Sequence, residues 1–512
     1  MSRTALLGRL DDAYDVIVVG GGITGAGVFS RATAMGYRCL LVEQRDFAWG
    51  TSSRSGKLVH GGLRYMAQGQ FSTSYHSVRE REAMLKSYSG LVHPLSFAIP
   101  VPGGNPIMKL GLGFVLALYD AMAGRRSRKF WRGAALNNHL PGLKGLDKGA
   151  WTFTDGTTDD SRLVLRILAE GQERGSVAIN YVEAKAPMLD AAGAVVGLQV
   201  RDVEGGGEYE VRAKAVINAT GVWADHLRRA MGQEPRMRPL RGSHILIPKE
   251  RLPVDLAIAL KSPADRRNMY MLPWEGRVLI GTTDLDHREP LGNEPTITPG
   301  EGSYMLDALH ASFPDAGISE SDVISTYSGV RPVVDSGKKD PSKESREESV
   351  WVDRGLITIT GGKLTTFRRM AHKALHAAAP FLPPSTAVLA VEREIEVAEG
   401  VSPRLLGRFG NEAPNVIAGT DQARLDVVPG THYLWAELDW AAKHEQVVHL
   451  DDLLLRRTRI GLLAVEGGVG LLDSIGERLR PLLGWSEPKW AIEADRYRAL
   501  WRASCSPGLL RA

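Results

Sequence analysis

The chain has 512 residues, enough for about three domains at roughly 150 residues each, which argues against a single small binding module. With 63 Lys and Arg against 59 Asp and Glu the net charge is +4, far from the basic stripe of a dedicated nucleic-acid binder, so no nucleic-acid partner is expected. A hydrophobic share of 43% beside 24% charged residues speaks against disorder and against a polytopic membrane protein, and two distant cysteines, Cys39 and Cys505, cannot make a disulfide framework or a thiolate zinc site.

The N-terminal segment carries Arg3 and Arg9 around a very short apolar stretch, without the apolar core of a secretory signal, so export is not expected. Val16, Ile17, Val18 and Val19 then read as a buried parallel strand that runs into Gly20-Gly21-Gly22-Ile23-Thr24-Gly25. A helix over 26–35 ends at Gly36, and a second apolar strand over 38–42 closes on Glu43. This is one βαβ unit. Gly20 permits the tight turn, Gly22 lets backbone approach a pyrophosphate at the helix N-terminus, Gly25 lets helix pack on strand, and Glu43 stands where it accepts the hydroxyls of an adenosine ribose. A glycine total of 56, above the usual share of about 7%, fits backbone lying close to a ligand.

Next comes a stretch over 51–65, Thr-Ser-Ser-Arg-Ser-Gly-Lys-Leu-Val-His-Gly-Gly-Leu-Arg-Tyr, with no amphipathic period. It suits a loop and short helix that contact the second phosphate, the ribityl chain and the redox ring of a long cofactor. The most apolar window, 106–123, is interrupted by Lys109 and Asp120, which speaks against a membrane span. Arg125, Arg126, Arg128 and Lys129 follow it, so the window is either a buried helix with a solvated end, which composition alone favours, or a helix lying on an anionic membrane surface.

Further along, 215–221 and 356–362 read as strands entering glycine turns at Gly221 and at Gly361-Gly362, the latter followed by a helix from Lys363. Both are expected in the first sheet. Between them, alternation in 243–247 and 277–281 predicts an inserted antiparallel sheet with one covered face. The charged stretch 338–348 reads as an exposed loop, and the chain from about Pro384 onward as mostly helical, with apolar spacing over 450–463 and 471–483. Gly111-Leu112-Gly113 and Gly467-Gly468-Val469-Gly470 lack the flanking strand or acid of a second dinucleotide site and are packing or turn glycines.

Taken together these motifs resemble the FAD-dependent, respiratory, quinone-linked glycerol-3-phosphate dehydrogenases. The resemblance runs from Asp15 to about Leu463 and is most specific in the glycine turn, Thr51-Ser52-Ser53, the run from Lys57 to Tyr65, and Asp159-Asp160-Ser161-Arg162-Leu163. It continues through Asn218-Ala219-Thr220-Gly221, Gly242-Ser243-His244, Gly281-Thr282-Thr283-Asp284, Ser328-Gly329-Val330-Arg331-Pro332 and Gly361-Gly362-Lys363-Leu364-Thr365-Thr366. The fold class it implies is α/β: an FAD-binding Rossmann-like domain of the glutathione-reductase and D-amino-acid-oxidase type, an inserted antiparallel-sheet substrate domain, and a C-terminal helical domain. Expected boundaries are 1–80, 155–232 and 325–383 for the FAD domain, 81–154 and 233–324 for the substrate cap, and 384–512 for the helical domain.

The resemblance implies FAD as cofactor, with Gly20, Gly22, Gly25, Glu43, Thr51, Ser52, Ser53, Lys57, Leu58, His60, Gly61, Gly221, Gly362, Lys363, Leu364 and Thr365 as its binding residues. It further implies glycerol 3-phosphate as substrate, oxidised to dihydroxyacetone phosphate with electrons passing to membrane quinone. Arg331 and Arg64 would bind the phosphate, with Lys363 and Tyr65 beside them; forked guanidinium donors suit a phosphate dianion. His60 and His244 are both candidates for the base that removes the hydroxyl proton, His244 favoured by its place in the substrate sheet. Lys363, at a helix start, is also placed to stabilise a reduced flavin. Arg54 and Gly56 depart from the family pattern, where small or hydroxyl side chains are expected. The alternatives are a glycerol-3-phosphate oxidase using oxygen, an amine or hydroxy-acid oxidase of the same fold, and a silent flavin-binding subunit. A cytoplasmic protein, peripheral on the inner face of the cell membrane and compatible with a homodimer, is the expected setting.

Overall fold

The computed structural model describes residues 2–67, 69, 71–101, 105–338, 344, 347–385, 400–419 and 422–511. Two sheets organise the chain. In the first, the strands run in the order Ser349–Asp353, Leu356–Thr360, Glu208–Asn218, Tyr14–Val19, Cys39–Val42 and Val177–Ile179. Tyr14–Val19 lies parallel to both neighbours, Val16 standing opposite Ala215 on one side and Cys39 on the other. The unbroken apolar run from Val16 to Val19 follows from this placement, because both faces are covered. On one face Val16 and Val18 pack with Phe29, Leu163 and Met370 from the helices Ile23–Ala34, Asp160–Gln172 and Phe367–Ala378. On the other, Ile17 and Val19 pack with Leu6, Leu10, Leu198 and Val211. As expected, 215–218 and 356–360 belong to this sheet.

The second sheet has ten strands and is largely antiparallel, with Met237–Pro248 and Ser325–Val334 paired along ten positions at its heart. The expected pairing of 243–247 with 277–281 is present, His244 lying opposite Gly281. One expectation fails: both faces are covered, not one. Ile245 and Ile247 pack on Leu306 and Leu309 of the helix Pro299–Ser312, while Leu246 and Leu279 pack on Leu438, Leu450 and Leu454 of the C-terminal helices. The strand Ser325–Val334, grouped from sequence with the FAD domain, pairs in this second sheet, as does Leu58–Val59 opposite Gly156 and Thr157.

The helix Pro106–Ala123 corrects the compositional lean toward a buried segment, since only Leu116, Tyr119 and Asp120 are buried. Among the described residues it is the helix with the length and composition of a membrane span, yet Trp151 Nε1 donates to the Lys109 carbonyl and ties it alongside the second sheet. Its outer side is apolar, with Ile107, Leu110 and Phe114 at 80, 74 and 66% exposure. Of the stretch read as an exposed loop, residues 339–343, 345 and 346 lie outside the described residues, and Glu344 is buried against Arg238 and Ser336.

Candidate functional site

At the end of Tyr14–Val19 the backbone turns at Gly20 with φ of +107°, where an added Cβ would sit 2.7 Å from the Ala219 carbonyl oxygen. A Cβ on Gly25 would lie 1.8 Å from the Gly20 carbonyl, so helix and turn touch through glycine alone. Gly22 caps the helix Ile23–Ala34 without a side-chain bond, leaving a helix N-terminus against the cavity described below. Ser52 Oγ accepts from the Ile23 amide at 2.9 Å and pins the 51–53 turn beside it. Glu43, at the end of the neighbouring strand, accepts from the Gly21 and Arg45 amides at 2.7 and 2.9 Å; burial pushes its carboxyl up and the two amides only partly restore it.

A cavity of about 400 Å³ starts at this turn and runs between the two sheets. Gly20, Gly22, Glu43, Thr51, Ser52, Leu58, His60, Gly221, Gly362, Lys363, Leu364 and Thr365 all line it, together with His244 and Arg331. Five separated stretches of the chain, at 20–60, 221, 244, 331 and 362–365, therefore meet at one site. A glycine turn, a helix N-terminus opening at Gly22 and an acid at the next strand end fit a dinucleotide such as FAD.

On the second-sheet side lies His244, which is 2% exposed, and neither ring nitrogen has a hydrogen-bond partner among the described residues. Its pKa is held well below the usual imidazole range, first by burial and then by the cations of Arg331 and Lys57. Arg331 is fixed by the 282–284 turn: it donates to Asp284 Oδ1 at 2.8 Å, to Thr282 Oγ1 at 2.8 Å and to the Thr283 carbonyl at 3.2 Å. Arg331 lies within the strand Ser325–Val334. Lys363 Nζ stands 3.8 Å from the centre of the Tyr65 ring. A neutral buried imidazole beside a guanidinium is equipped to take a proton from a neighbouring anionic alcohol.

Other expected residues lie elsewhere. Gly25 acts by packing behind the turn, and Arg64 is exposed outside the cavity wall, with Tyr65 half-buried next to it. Lys57, Ser53 and Gly61 stand behind the wall. The fully buried Lys57 Nζ donates to the Ser53 carbonyl at 2.7 Å and to Asp160 at 2.8 and 2.9 Å, and burial lowers it to about 8. Gly61 donates its amide to Asp155 at 3.0 Å. Asp160 also accepts from the Ser55 amide and hydroxyl at 3.0 and 2.7 Å and from Arg459 of the C-terminal helices, so this carboxylate holds the whole 53–57 loop in place. Arg54, the departure from the family pattern, pairs with Glu294 and stacks 4.8 Å from the centre of Trp49, whose indole donates to the same glutamate at 2.8 Å. Gly56 leaves room near His244: a Cβ there would lie 3.6 Å from Nε2.

Sequence reasoning assigned no role to Trp49, Trp223, Tyr270 or Thr282, which line the cavity, or to Asp284 and Tyr327 behind it. Asp284 carried a signal, since it sits in the Gly-Thr-Thr-Asp run already singled out.

Residues 15–368 match the family model of the FAD dependent oxidoreductases, and residues 357–489 match the C-terminal domain of alpha-glycerophosphate oxidase. The aerobic glycerol-3-phosphate dehydrogenase of Staphylococcus aureus is 31% identical over 93% of this chain and 92% of its own length. Glycerol-3-phosphate dehydrogenase 2 of Mycobacterium bovis is 34% identical over 95% of this chain and 88% of its own. Among solved structures, the glycerol-3-phosphate dehydrogenase from Bacillus halodurans complexed with FAD superposes with a TM-score of 0.79 at 25% identity, covering 98% of this chain and 97% of that one. The L-alpha-glycerophosphate oxidase from Mycoplasma pneumoniae shares the fold over 72% of this chain, with a TM-score of 0.57 and 14% identity. A glycine turn with its acid, a cavity between two sheets and matches over nearly the whole chain agree, and the chain belongs to the FAD-dependent oxidoreductases, in the glycerol-3-phosphate dehydrogenase family.

Proposed function

We propose that this enzyme oxidises sn-glycerol 3-phosphate to dihydroxyacetone phosphate. FAD, when bound, supplies the hydride acceptor. The chain supplies the rest: Arg331 holds the phosphate, Lys363 adds a second cation, and His244 takes the C2 hydroxyl proton as hydride leaves C2. The observation that carries this reading is the orphaned, buried His244 in the same cavity wall as the clamped Arg331. His60 lines the wall too but lies in the short segment after Leu58–Val59, and no comparable isolation of its ring supports it. Anaerobic mixing with glycerol 3-phosphate while following flavin absorbance tests the assignment. Bleaching is expected in the parent, and His244→Gln should slow it by about 10²-fold or more. Bleaching at the parental rate in His244→Gln would remove His244 from the role.

For the electrons' next step we propose membrane quinone, reached by a protein bound peripherally on the cytoplasmic face. Support comes from the helix Pro106–Ala123: Ile107, Leu110, Phe114 and Leu118 form one exposed apolar stripe, and Phe71 and Tyr75 of the adjacent helix Phe71–Ser87 are exposed as well. Such a stripe buries its apolar side in a lipid surface while the helix lies in plane. The basic cluster contributes less than its count of four suggests, because Arg125 pairs with Glu82 and Arg128 with Asp120. Replacing Leu110 and Phe114 by glutamate should abolish sedimentation with liposomes and slow quinone reduction, with anaerobic bleaching intact. Equal reoxidation of the parent by oxygen and by quinone would favour the oxidase reading instead.

A further inference from the structure

We propose that Tyr327 is a positioning residue that fixes the imidazole of His244 against the reacting hydroxyl. The proposal rests on the reading of His244 as the base. His244 and Tyr327 are directly opposite partners on the antiparallel strands Met237–Pro248 and Ser325–Val334, and their rings stack with centroids 4.6 Å apart at an interplanar angle of 16°. Directly opposite side chains on one face of an antiparallel pair interact, and aromatic pairs do so with defined geometry. On the other flank His244 faces Gly281, where an added Cβ would come within 2.3 Å of its Cδ2. The imidazole therefore lies in a slot, a bare backbone on one side and the phenol ring on the other.

The slot matters because no hydrogen bond orients the ring among the described residues. A catalytic histidine is ordinarily aimed by a hydrogen bond to one nitrogen, and here neither nitrogen has a partner among the described residues. Orientation must come from packing, and Tyr327 supplies it while itself being held. Its hydroxyl donates to the Ser55 carbonyl at 2.8 Å, and Ser55 is in turn fixed by Asp160. Lys57 Nζ stands 4.8 Å from the centre of the Tyr327 ring. The stack thus transmits the fixed position of the 53–57 loop to the base.

The ionisable groups facing this pair are Lys57 with its partner Asp160, Arg459 behind Tyr327, and Arg331 with its partner Asp284, with His60 and Lys363 elsewhere in the cavity wall. Lys57 and Arg331 add to burial in keeping His244 neutral. Removing the Tyr327 ring opens the slot to water and relieves the burial that depresses the imidazole, so the acid limb of the pH profile should move toward the ordinary histidine value, that is, upward.

The test compares parent, Tyr327→Phe, Tyr327→Leu and His244→Gln for FAD content, thermal stability and the pH dependence of anaerobic flavin bleaching by glycerol 3-phosphate. Tyr327→Leu should keep its FAD, bleach about 10- to 100-fold more slowly, and move its acid limb upward. The substrate concentration for half-maximal rate should stay within about two-fold, since binding is left to Arg331. Tyr327→Phe, which keeps the ring, should recover most of the lost rate and the parental acid limb. If Tyr327→Leu does not retain FAD, Tyr327→Met serves the same comparison. His244→Gln bleaching at the parental rate overturns the base reading and this one with it. A slow His244→Gln beside a Tyr327→Leu of parental rate and pH profile overturns the positioning alone, as does a Tyr327→Phe as slow as Tyr327→Leu.

Discussion

A Cβ at Gly25 would lie 1.8 Å from the Gly20 carbonyl oxygen, a backbone atom that cannot step aside. Gly25→Ala should therefore yield protein without bound FAD, read as the loss of visible absorbance in the purified protein. Arg331 makes the opposite prediction. Its clamp by Asp284 and Thr282 belongs to the second sheet, not to the glycine turn of the first, so Arg331→Ala should leave FAD content unchanged. The same change should raise the glycerol 3-phosphate needed for flavin reduction, corresponding to about 2–5 kcal/mol of lost binding. The turn and Glu43 were legible from sequence because their spacing is local: one strand, one helix and the next strand fix it. The partnership of His244 with Tyr327 was not, since it depends on the register of two strands that brings together residues 83 positions apart, 327 − 244, and neither residue carries a motif that announces the other. Arg64 is exposed and does not line the cavity, and its neighbour Tyr65 lies 3.8 Å from Lys363 Nζ, which does.

Among the elements, the Asp160–Gln172 helix carries at its first residue the carboxylate that neutralises Lys57 and Arg459, all three fully or almost fully buried. Breaking such a group by removing one member leaves uncompensated charge inside the protein. Asp160→Ala should cost about 3–5 kcal/mol in denaturant unfolding and lower FAD retention with it. The C-terminal helix Glu487–Ser504 is held differently. Glu493 pairs with His449 Nδ1 at 3.0 Å and with Lys489 at 2.8 Å. Burial pulls His449 down, but the bond to Glu493 and the field of Asp452 override it, and its pKa ends above the ordinary value. Burial likewise works against Glu493, and its bonds to His449 and Lys489 still bring it to about 2. A raised imidazole contributes stability below its unfolded pKa and loses it as pH rises through the folded one; a depressed carboxyl contributes above its unfolded pKa and loses it as pH falls. Anchoring of this helix should thus be strongest between about pH 4.5 and 6.5 and weaken as the pH rises through the raised pKa of His449, by on the order of 0.5 kcal/mol. His449→Gln should flatten that alkaline decline in melting temperature. None of these pairs was readable beforehand, because apolar spacing locates a helix but says nothing about which buried charges meet.

Over the whole molecule the helical C-terminal region completes the cofactor half. Arg456 and Arg457 both bind Asp46, and Arg408 and Arg459 bind Asp159, so these two buried carboxylates meet their guanidinium partners from the last part of the chain, while Asp160 is shared between Lys57 and Arg459. The two-sheet plan was legible from the glycine turn and the strand runs. The apolar stripe of Pro106–Ala123 was not, since composition cannot tell an exposed apolar face from a buried one. A protein cut after Pro383 should be colourless and prone to aggregate, measured by FAD content and by sedimentation of the purified fragment. The same dependence has a direction in time. Arg459 and Asp160 are 299 positions apart, and at about 5–20 residues per second the ribosome delivers the arginine roughly 15–60 s after the carboxylate. Throughout that interval the buried charge group that holds the 53–57 loop has Lys57 and Asp160 but lacks Arg459, so the loop beside the cofactor cavity reaches its final charge balance only once the last helices have emerged.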